Sequence, residues 1–254
     1  MTKTETVKQQ CKQLNLASLA GNLDQLIVNA QKDQVTYLDF ICNIFENEIN
    51  LRMDKNKQQR TKLAKLPLSY NLDLYDYSLE NGISKQQLSQ LRELNWLEQN
   101  FNIILMGSSG TGKTYIAAGL CFDAIGQGYR AYFKTMEELL RILKLKEVTR
   151  AAANEYKRIM KAHMLVIDDI MMFPVNQIDA VSFFNLVNEL HLKTSLVITT
   201  NKSPKQWAEV LKDEVITTAL LDRILHRCEI IKFNEQSYRM KYRKTIFENL
   251  NNLS

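Results

Sequence analysis

The 254-residue chain is 45% hydrophobic and 24% charged, an ordinary globular balance with room for one large domain, or a medium domain and a small appendage. Its net charge of +5 is too mild to name a polyanionic partner unaided. No apolar run approaches the roughly 18 residues of a membrane span, and the start "MTKTETVKQQCKQLN" is polar, so a cytoplasmic protein with no membrane partner is expected.

The first 65 residues read as helical. Leu16, Leu19, Leu23, Leu26, Ile27 and Ala30 follow the 3, 4, 7 spacing of an amphipathic helix, and Val35, Leu38, Ile41, Cys42, Phe45 and Ile49 repeat it. Thr36 and Asp39 resemble a capping box at the start of that second helix. Such a unit, residues 1–65, buries little by itself and suits partner binding, DNA binding or self-association. It ends in "RMDKNKQQRTKLAK", with six basic residues against one acid, and "SYRMKYRK" near the C-terminus adds four more. Each cluster can attract a polyanion, and each can equally be a solvated helix face.

Residues 66–77, "LPLSYNLDLYDY", break the helical period and read as an extended linker. Tyr75 and Tyr77 within it can stack on a base or simply anchor the linker. The remainder, 78–254, opens with a short helix that has Ser84 and Gln87 as its capping box and Leu88, Leu91 and Leu94 on one face. From residue 101 short apolar runs alternate with amphipathic stretches: "FNIILM", "YRAYFK", "MLVIDD", "SLVITT" and "EIIKF". Runs apolar nearly throughout are strands covered on both faces, and their alternation with helices predicts a parallel sheet with right-handed crossovers.

The first of these strands runs into Gly107-Ser108-Ser109-Gly110-Thr111-Gly112-Lys113-Thr114, which fits Gly-x-x-x-x-Gly-Lys-[Ser/Thr]. The glycines permit backbone conformations that aim successive N–H groups into one concavity, and the helix beginning at Lys113 adds its positive end. Lys113 would reach the β- and γ-phosphates of a nucleoside triphosphate, and the Thr114 hydroxyl would ligate Mg²⁺. The strand "MLVID" brings Asp168 and Asp169 to its C-terminal end, where ligands of open α/β sheets bind. Asp168 would hold the metal through water. Asp169 stands where a base could polarise an attacking water, so hydrolysis is favoured over transfer to a small-molecule hydroxyl.

Asn201 follows the next strand. It can orient water or contact the γ-phosphate, or serve as a turn residue before the helix that Ser203 and Pro204 begin. Arg223 and Arg239 can stabilise phosphoryl charge, in cis or from a neighbouring subunit, or form structural ion pairs, Arg223 with Asp222 or Glu229 for instance. Trp207 is most simply a packing residue. Four scattered cysteines and three isolated histidines lack the spacing of a disulfide framework or a zinc site.

The ordered set "GSSGTGKT", "LVIDD", "TTN", "LLDRILHR" and "SYR" resembles the IstB family of insertion-sequence ATPases, a AAA+ branch that also includes the DnaC-type helicase loaders. The similarity covers nearly the whole chain. "QLNLASLAGNLDQLIVNA" and "TYLDFICNIFENEI" are similar to the helical N-terminal domain of IstB proteins, which favours that branch over the loaders. The resemblance implies an α/β P-loop NTPase core of the AAA+ type, three αβα layers on a five-stranded parallel sheet, after a small helical domain. It implies Asp169 as the catalytic acid, Asn201 as the sensor asparagine, Arg223 as a finger offered to a neighbour's ATP, and Arg239 as a second sensor acting in cis. Broader AAA+ proteins carry Asp-Glu where this chain has Asp168-Asp169, which implies tuned or partner-dependent hydrolysis. The implied partners are duplex DNA, a cognate transposase, and further copies of the chain in a ring or spiral. A helicase loader, a small-molecule kinase and a nonhydrolysing nucleotide-dependent scaffold are the competing readings.

Overall fold

In the computed structural model, residues 1–67, 70–78, 82–233 and 238 are described. They form two compact units, Met1–Gln59 and the chain from Arg60 onward, and the division falls inside a long helix.

The first unit is three helices, α1 (Lys3–Gln13), α2 (Ala17–Lys32) and α3 (Tyr37–Ala64). Thr36 accepts from the Asp39 amide at 3.2 Å and donates to its carboxylate at 2.6 Å, so the capping pair read from the sequence forms. Cys11, Leu19, Ala20 and Leu23 make a small core, with Leu16, Leu26, Ile27 and Ile44 packed against it. The apolar stripe of α3 departs from expectation: Leu38, Ile41, Cys42, Phe45 and Ile49 are exposed. Toward α2 the helix turns Ile44 and Glu48 instead. The start of α2 has no side-chain cap of its own, and the buried Glu48 carboxylate supplies one from α3, accepting from the Leu19 amide at 2.9 Å. Arg52 neutralises that carboxylate at 2.7 Å and donates to the Asn15 carbonyl at 2.6 Å.

The second unit carries α4 (Lys85–Arg92), α5 (Asn95–Glu98), β1 (Asn102–Met106), α6 (Lys113–Gly126), β2 (Ala131–Thr135), α7 (Met136–Leu145), α8 (Arg150–Ile159), β3 (Met164–Asp168), α9 (Gln177–Leu190), β4 (Ser195–Thr200), α10 (Pro204–Leu211), α11 (Glu214–Leu225) and β5 (Cys228–Lys232). All five strands expected from the sequence are present. They pair in parallel in the order β2-β3-β4-β1-β5. Strand period two divides the core into halves. Ile103, Leu105, Val166 and Val197 face α6 through Ile116, Ala117, Leu120 and Cys121. Ile104, Leu165, Ile167 and Ile198 face the opposite layer through Phe183, Leu186, Trp207, Leu220 and Ile224. The sheet is thus the middle of three layers.

The strand order sets the geometry of the site. β4 lies between β1 and β3, so their C-terminal ends stand two strand spacings apart, about 10 Å. Asn102 secures this arrangement from the other end: its buried side chain donates to the Ile224 carbonyl at 2.8 Å and accepts from the Leu196 amide at 2.9 Å. Among the described residues no helix is long and apolar enough to cross a membrane.

The segment expected to be an extended linker is not a free strap. It carries a 3₁₀ turn at Leu72–Leu74, and the Leu72 side chain seats where a Cβ on Gly119 of α6 would stand. Arg92 ties Asp73 of the turn to Asp123 of α6, each at 2.7 Å. A Gly119 Cβ would sit 2.3 Å from Leu72 Cγ. Gly119→Ala is therefore expected to destabilise by about 1–3 kcal/mol in urea denaturation. Adding Leu72→Ala should cost less than the sum of the two single substitutions, because it vacates the contested space.

Candidate nucleotide-binding site

The loop from Gly107 to Gly112 is held by backbone contacts that leave little room for side chains. A Cβ on Gly107 would meet the Phe233 carbonyl oxygen at 2.7 Å, and the Gly107 amide donates to the Thr200 carbonyl at 3.1 Å. Gly110 and Gly112 adopt left-handed φ of +84° and +95°. The Ser108 carbonyl is braced from inside the loop, accepting from the Thr111 hydroxyl at 2.9 Å and from Lys113 Nζ at 2.7 Å. The loop opens into α6, whose first turn has no side-chain cap. Its N–H groups and positive end thus face the loop's concavity, the arrangement that binds anions.

The acids lie across the gap that β4 fills. Asp168 ends β3 and is buried; its Oδ1 accepts from the Thr114 hydroxyl at 2.9 Å and from the Thr199 hydroxyl at 2.5 Å. Thr199 also accepts from the Asp169 amide at 2.9 Å. One hydroxyl on the central strand therefore joins both acids. Burial raises the Asp168 carboxyl above its ordinary range, and the nearby Asp169 charge adds to this; the bonds from Thr199 and Thr114 and the charge of Lys113 oppose it. Asp169 itself is exposed and left-handed, at φ +54°, so the chain turns out of the sheet where its carboxylate begins.

A cavity of about 750 Å³ gathers these groups, with Ser109 to Thr114, Asp169 and Asn201 on its wall. Gly107 and Ser108 lie behind that wall and shape the loop. Ser203 caps α10, with Pro204 as its first residue, so Asn201 sits in the turn between β4 and that helix while lining the cavity.

Arg223 is elsewhere. Its Nε donates to Asn188 Oδ1 at 2.6 Å, its Nη1 donates to the Ala219 carbonyl at 2.8 Å, and its guanidinium lies 4.8 Å from the Phe184 ring centroid. Among the described residues it forms no ion pair with Asp222 or Glu229. Arg239 lies outside the described residues. Trp207 is fully buried, as a packing residue should be.

Two features of the site were not placed by the sequence, the buried Thr199 hydroxyl and Tyr75 on the cavity wall. Thr199 was visible only as part of "TTN", and its role depends on which strands flank it. Tyr75 lines the cavity beside Gly112, where a Cβ would come 3.7 Å from its ring, and it packs edge-on to Tyr77 at 4.9 Å. Burial, then Tyr77 and Asp76, push its phenol up to about 12.

The profile of IstB-like ATP binding proteins matches residues 9–246. The chain belongs to that family. It is 49% identical over 243 residues to an insertion-sequence IS21-like ATP-binding protein of Bacteroides fragilis, covering 96% of this chain and 92% of the relative. It is 30% identical over 231 residues to the IS21 ATP-binding protein of Pseudomonas aeruginosa, covering 91% of this chain and 87% of that one. In fold it is similar to DnaI, with a TM-score of 0.54 at 18% identity over 65% of this chain and 91% of that structure. The α/β core expected from the sequence, a five-stranded parallel sheet with a phosphate loop, is therefore present in a fold shared with DnaI, and the family is one of ATP-binding proteins by name.

The raised Asp168 carboxyl has a consequence for the nucleotide-free protein. A carboxyl raised in the folded state costs stability when ionised, and the loss sets in as pH rises above the unfolded carboxylate value of about 4. Asp168→Asn is expected to melt higher than the parent at pH 7 without nucleotide. The gap should close as pH falls toward about 4. Calorimetric scans over that range, which also show whether Mg-nucleotide still shifts the midpoint, check both halves.

Proposed function

We propose that this protein is an ATP-hydrolysing, DNA-binding AAA+ ATPase that assembles on duplex DNA and assists a transposase. The observation that carries the hydrolytic part is the Asp168-Asp169 pair, joined by Thr199, with Asp168 bonded to Thr114 beside the phosphate loop and Asp169 on the cavity wall. The loop amides and Lys113 bind the phosphates. Thr114 and Asp168 present two hard oxygen donors 2.9 Å apart, and no cluster of three or more His, Cys, Asp or Glu side chains able to hold a metal occurs among the described residues. Two protein oxygens suit a Mg²⁺ that keeps most of its waters and is otherwise held by the nucleotide. Bound there, the ion would neutralise phosphate charge.

Asp169, exposed to the cavity, holds a proton acceptor where an attacking water would lie, and Asn201 orients that water or the γ-phosphate. Thr199 positions both acids. Arg223, away from its own chain's cavity, acts as a finger toward a neighbour's ATP, and Arg239 acts in cis. A finger given in trans requires adjoining subunits, hence a ring or spiral. The insertion-sequence relatives support a transposase as partner.

The test is ATP hydrolysis by the protein alone, with duplex DNA and with single strands, Lys113→Ala serving as the blank. Duplex stimulation is expected. Asp169→Asn should bind ATP yet lose about 10²- to 10⁴-fold in turnover. Arg223→Ala should lose about 10³-fold or more of the stimulated rate. Mixing Arg223→Ala with Lys113→Ala should restore activity, since each supplies what the other lacks; no recovery would remove the trans role. Stimulation by single strands alone would favour a DnaC-type helicase loader, and no response to DNA would end the DNA-coupled reading.

Thr199→Val keeps shape but removes the hydroxyl that serves both acids. Turnover is expected to fall about 10- to 100-fold, the scale of one or two missing hydrogen bonds to charged or buried groups. ATP affinity, set mainly by the phosphate loop, should change far less.

A further inference from the structure

The C-terminal ends of the strands build the nucleotide cavity. Their starting ends carry a different chemistry. Arg130 immediately precedes β2, Lys161 and His163 precede β3, Lys193 precedes β4, and Arg227 immediately precedes β5. Arg130, Lys161, Lys193 and Arg227 are all exposed. Before β1 the chain is neutral from Gln99 to Phe101, with Glu98 the nearest preceding acid.

The arginines of this edge are fixed without being neutralised. Arg130 Nε donates to the Lys161 carbonyl at 2.5 Å, and its Nη2 lies 2.8 Å from His163 Nε2. Arg227 Nη1 donates to the Gln99 carbonyl at 2.9 Å. Arg60, from the basic stretch at the end of α3, joins the β2 side by donating to the Gly128 carbonyl. A carbonyl partner orients a guanidinium but leaves its charge uncompensated. Elsewhere in this unit cations meet acids. Arg92 lies between Asp73 and Asp123, and Glu155 serves Lys65 at 2.9 Å and Lys134 at 3.4 Å. Among the described residues no carboxylate forms an ion pair with Arg60, Arg130, Lys161, Lys193 or Arg227.

We propose that the starting edge of the sheet, from Arg60 and Arg130 through Lys161 and Lys193 to Arg227, is the surface that holds the phosphate backbone of duplex DNA. This rests on the reading of the protein as a DNA-binding ATPase and names the face that binds. Four strand spacings separate β2 from β5, about 19 Å, which matches five to six base-pair steps of about 3.4 Å. The aromatic beside Arg130, Tyr129, packs into the core and edge-on to His163 at 5.7 Å, so it offers no free face to an unpaired base. A row of cations whose arginines are held by carbonyls suits a duplex backbone and carries no base readout. The row also lies a strand length, about 17 Å, from the nucleotide cavity, so it can be altered without touching that site.

Binding of a labelled duplex to the full chain, titrated over salt, tests this. In Arg130→Ala/Lys161→Ala/Arg227→Ala the slope of log K against log salt should shrink by roughly 2–3, at about 0.9 for each phosphate no longer neutralised. Affinity at low salt should fall about tenfold or more, while affinity for a fluorescent ATP analogue stays within about twofold. Arg130→Lys/Arg227→Lys keeps the charge and should keep most of the slope. An unchanged slope and affinity in the triple variant would overturn the proposal, as would equal loss in the lysine variant, which would make the residues structural. Loss of binding to phosphatidylserine vesicles or single strands with duplex binding intact would overturn it too. Failure of the unaltered protein to bind duplex at all would instead sink the DNA-coupled function on which the proposal rests.

Discussion

The Thr199 hydroxyl donates to Asp168 and accepts from the amide of Asp169, and the nucleotide site is organised around that pair of bonds. They exist because β4 runs between β1 and β3. One neighbour ends in the phosphate loop and the other in the two acids. The middle strand sets the gap between them, about two strand spacings, and closes it with a side chain of the right reach. Thr114, in the first turn of α6, completes the link by donating to the same carboxylate oxygen. Loop, helix and acids thus share one hydrogen-bonded junction.

That junction is stable only because of what surrounds it. A buried carboxylate, an uncapped helix start and a left-handed aspartate each oppose folding. The two apolar layers on either face of the sheet offset them, with β1, β3 and β4 buried on both sides and large side chains such as Phe183, Trp207 and Leu120 fully enclosed. Ligand chemistry collects at one edge of this rigid slab, and uncompensated positive charge collects at the other. The same parallel strands therefore separate two surfaces of different chemistry by their own length.

Much of this was legible in the residues. The five apolar runs are strands, and β1, β3 and β4 are buried on both faces as continuous Val, Ile and Leu allow, whereas β5 at the sheet edge leaves Ile230 exposed. The Ser84–Gln87 and Thr36–Asp39 pairs cap helices because their bonds are local. The phosphate loop was readable because its glycines answer a local backbone requirement. Readings that depended on distant partners fared differently. The stripe on α3 has helical period, yet it is exposed, since period says which residues share a face and not what covers it. Glu48 caps α2 from 29 residues away, and no local pattern announces such a bond. The expected linker packs Leu72 onto Gly119, and Arg223 takes Asn188 and Phe184 in place of the acids near it in sequence.

By itself the sequence determined the parallel α/β class, the phosphate-binding loop, the acids at the end of a strand and the family resemblance. All four are written in short-range pattern: side-chain period, glycine at strained backbone positions, and motif order. Only the tertiary structure decided that β4 separates β1 from β3, that Thr199 rather than a more conspicuous residue joins the two acids, that Tyr75 walls the cavity, and that cations from four separate strand starts form one row. Strand order is set by packing between segments far apart in the chain, whose energy is a sum over many weak contacts. No stretch of sequence carries that sum, so the neighbours it selects appear only when the chain is folded.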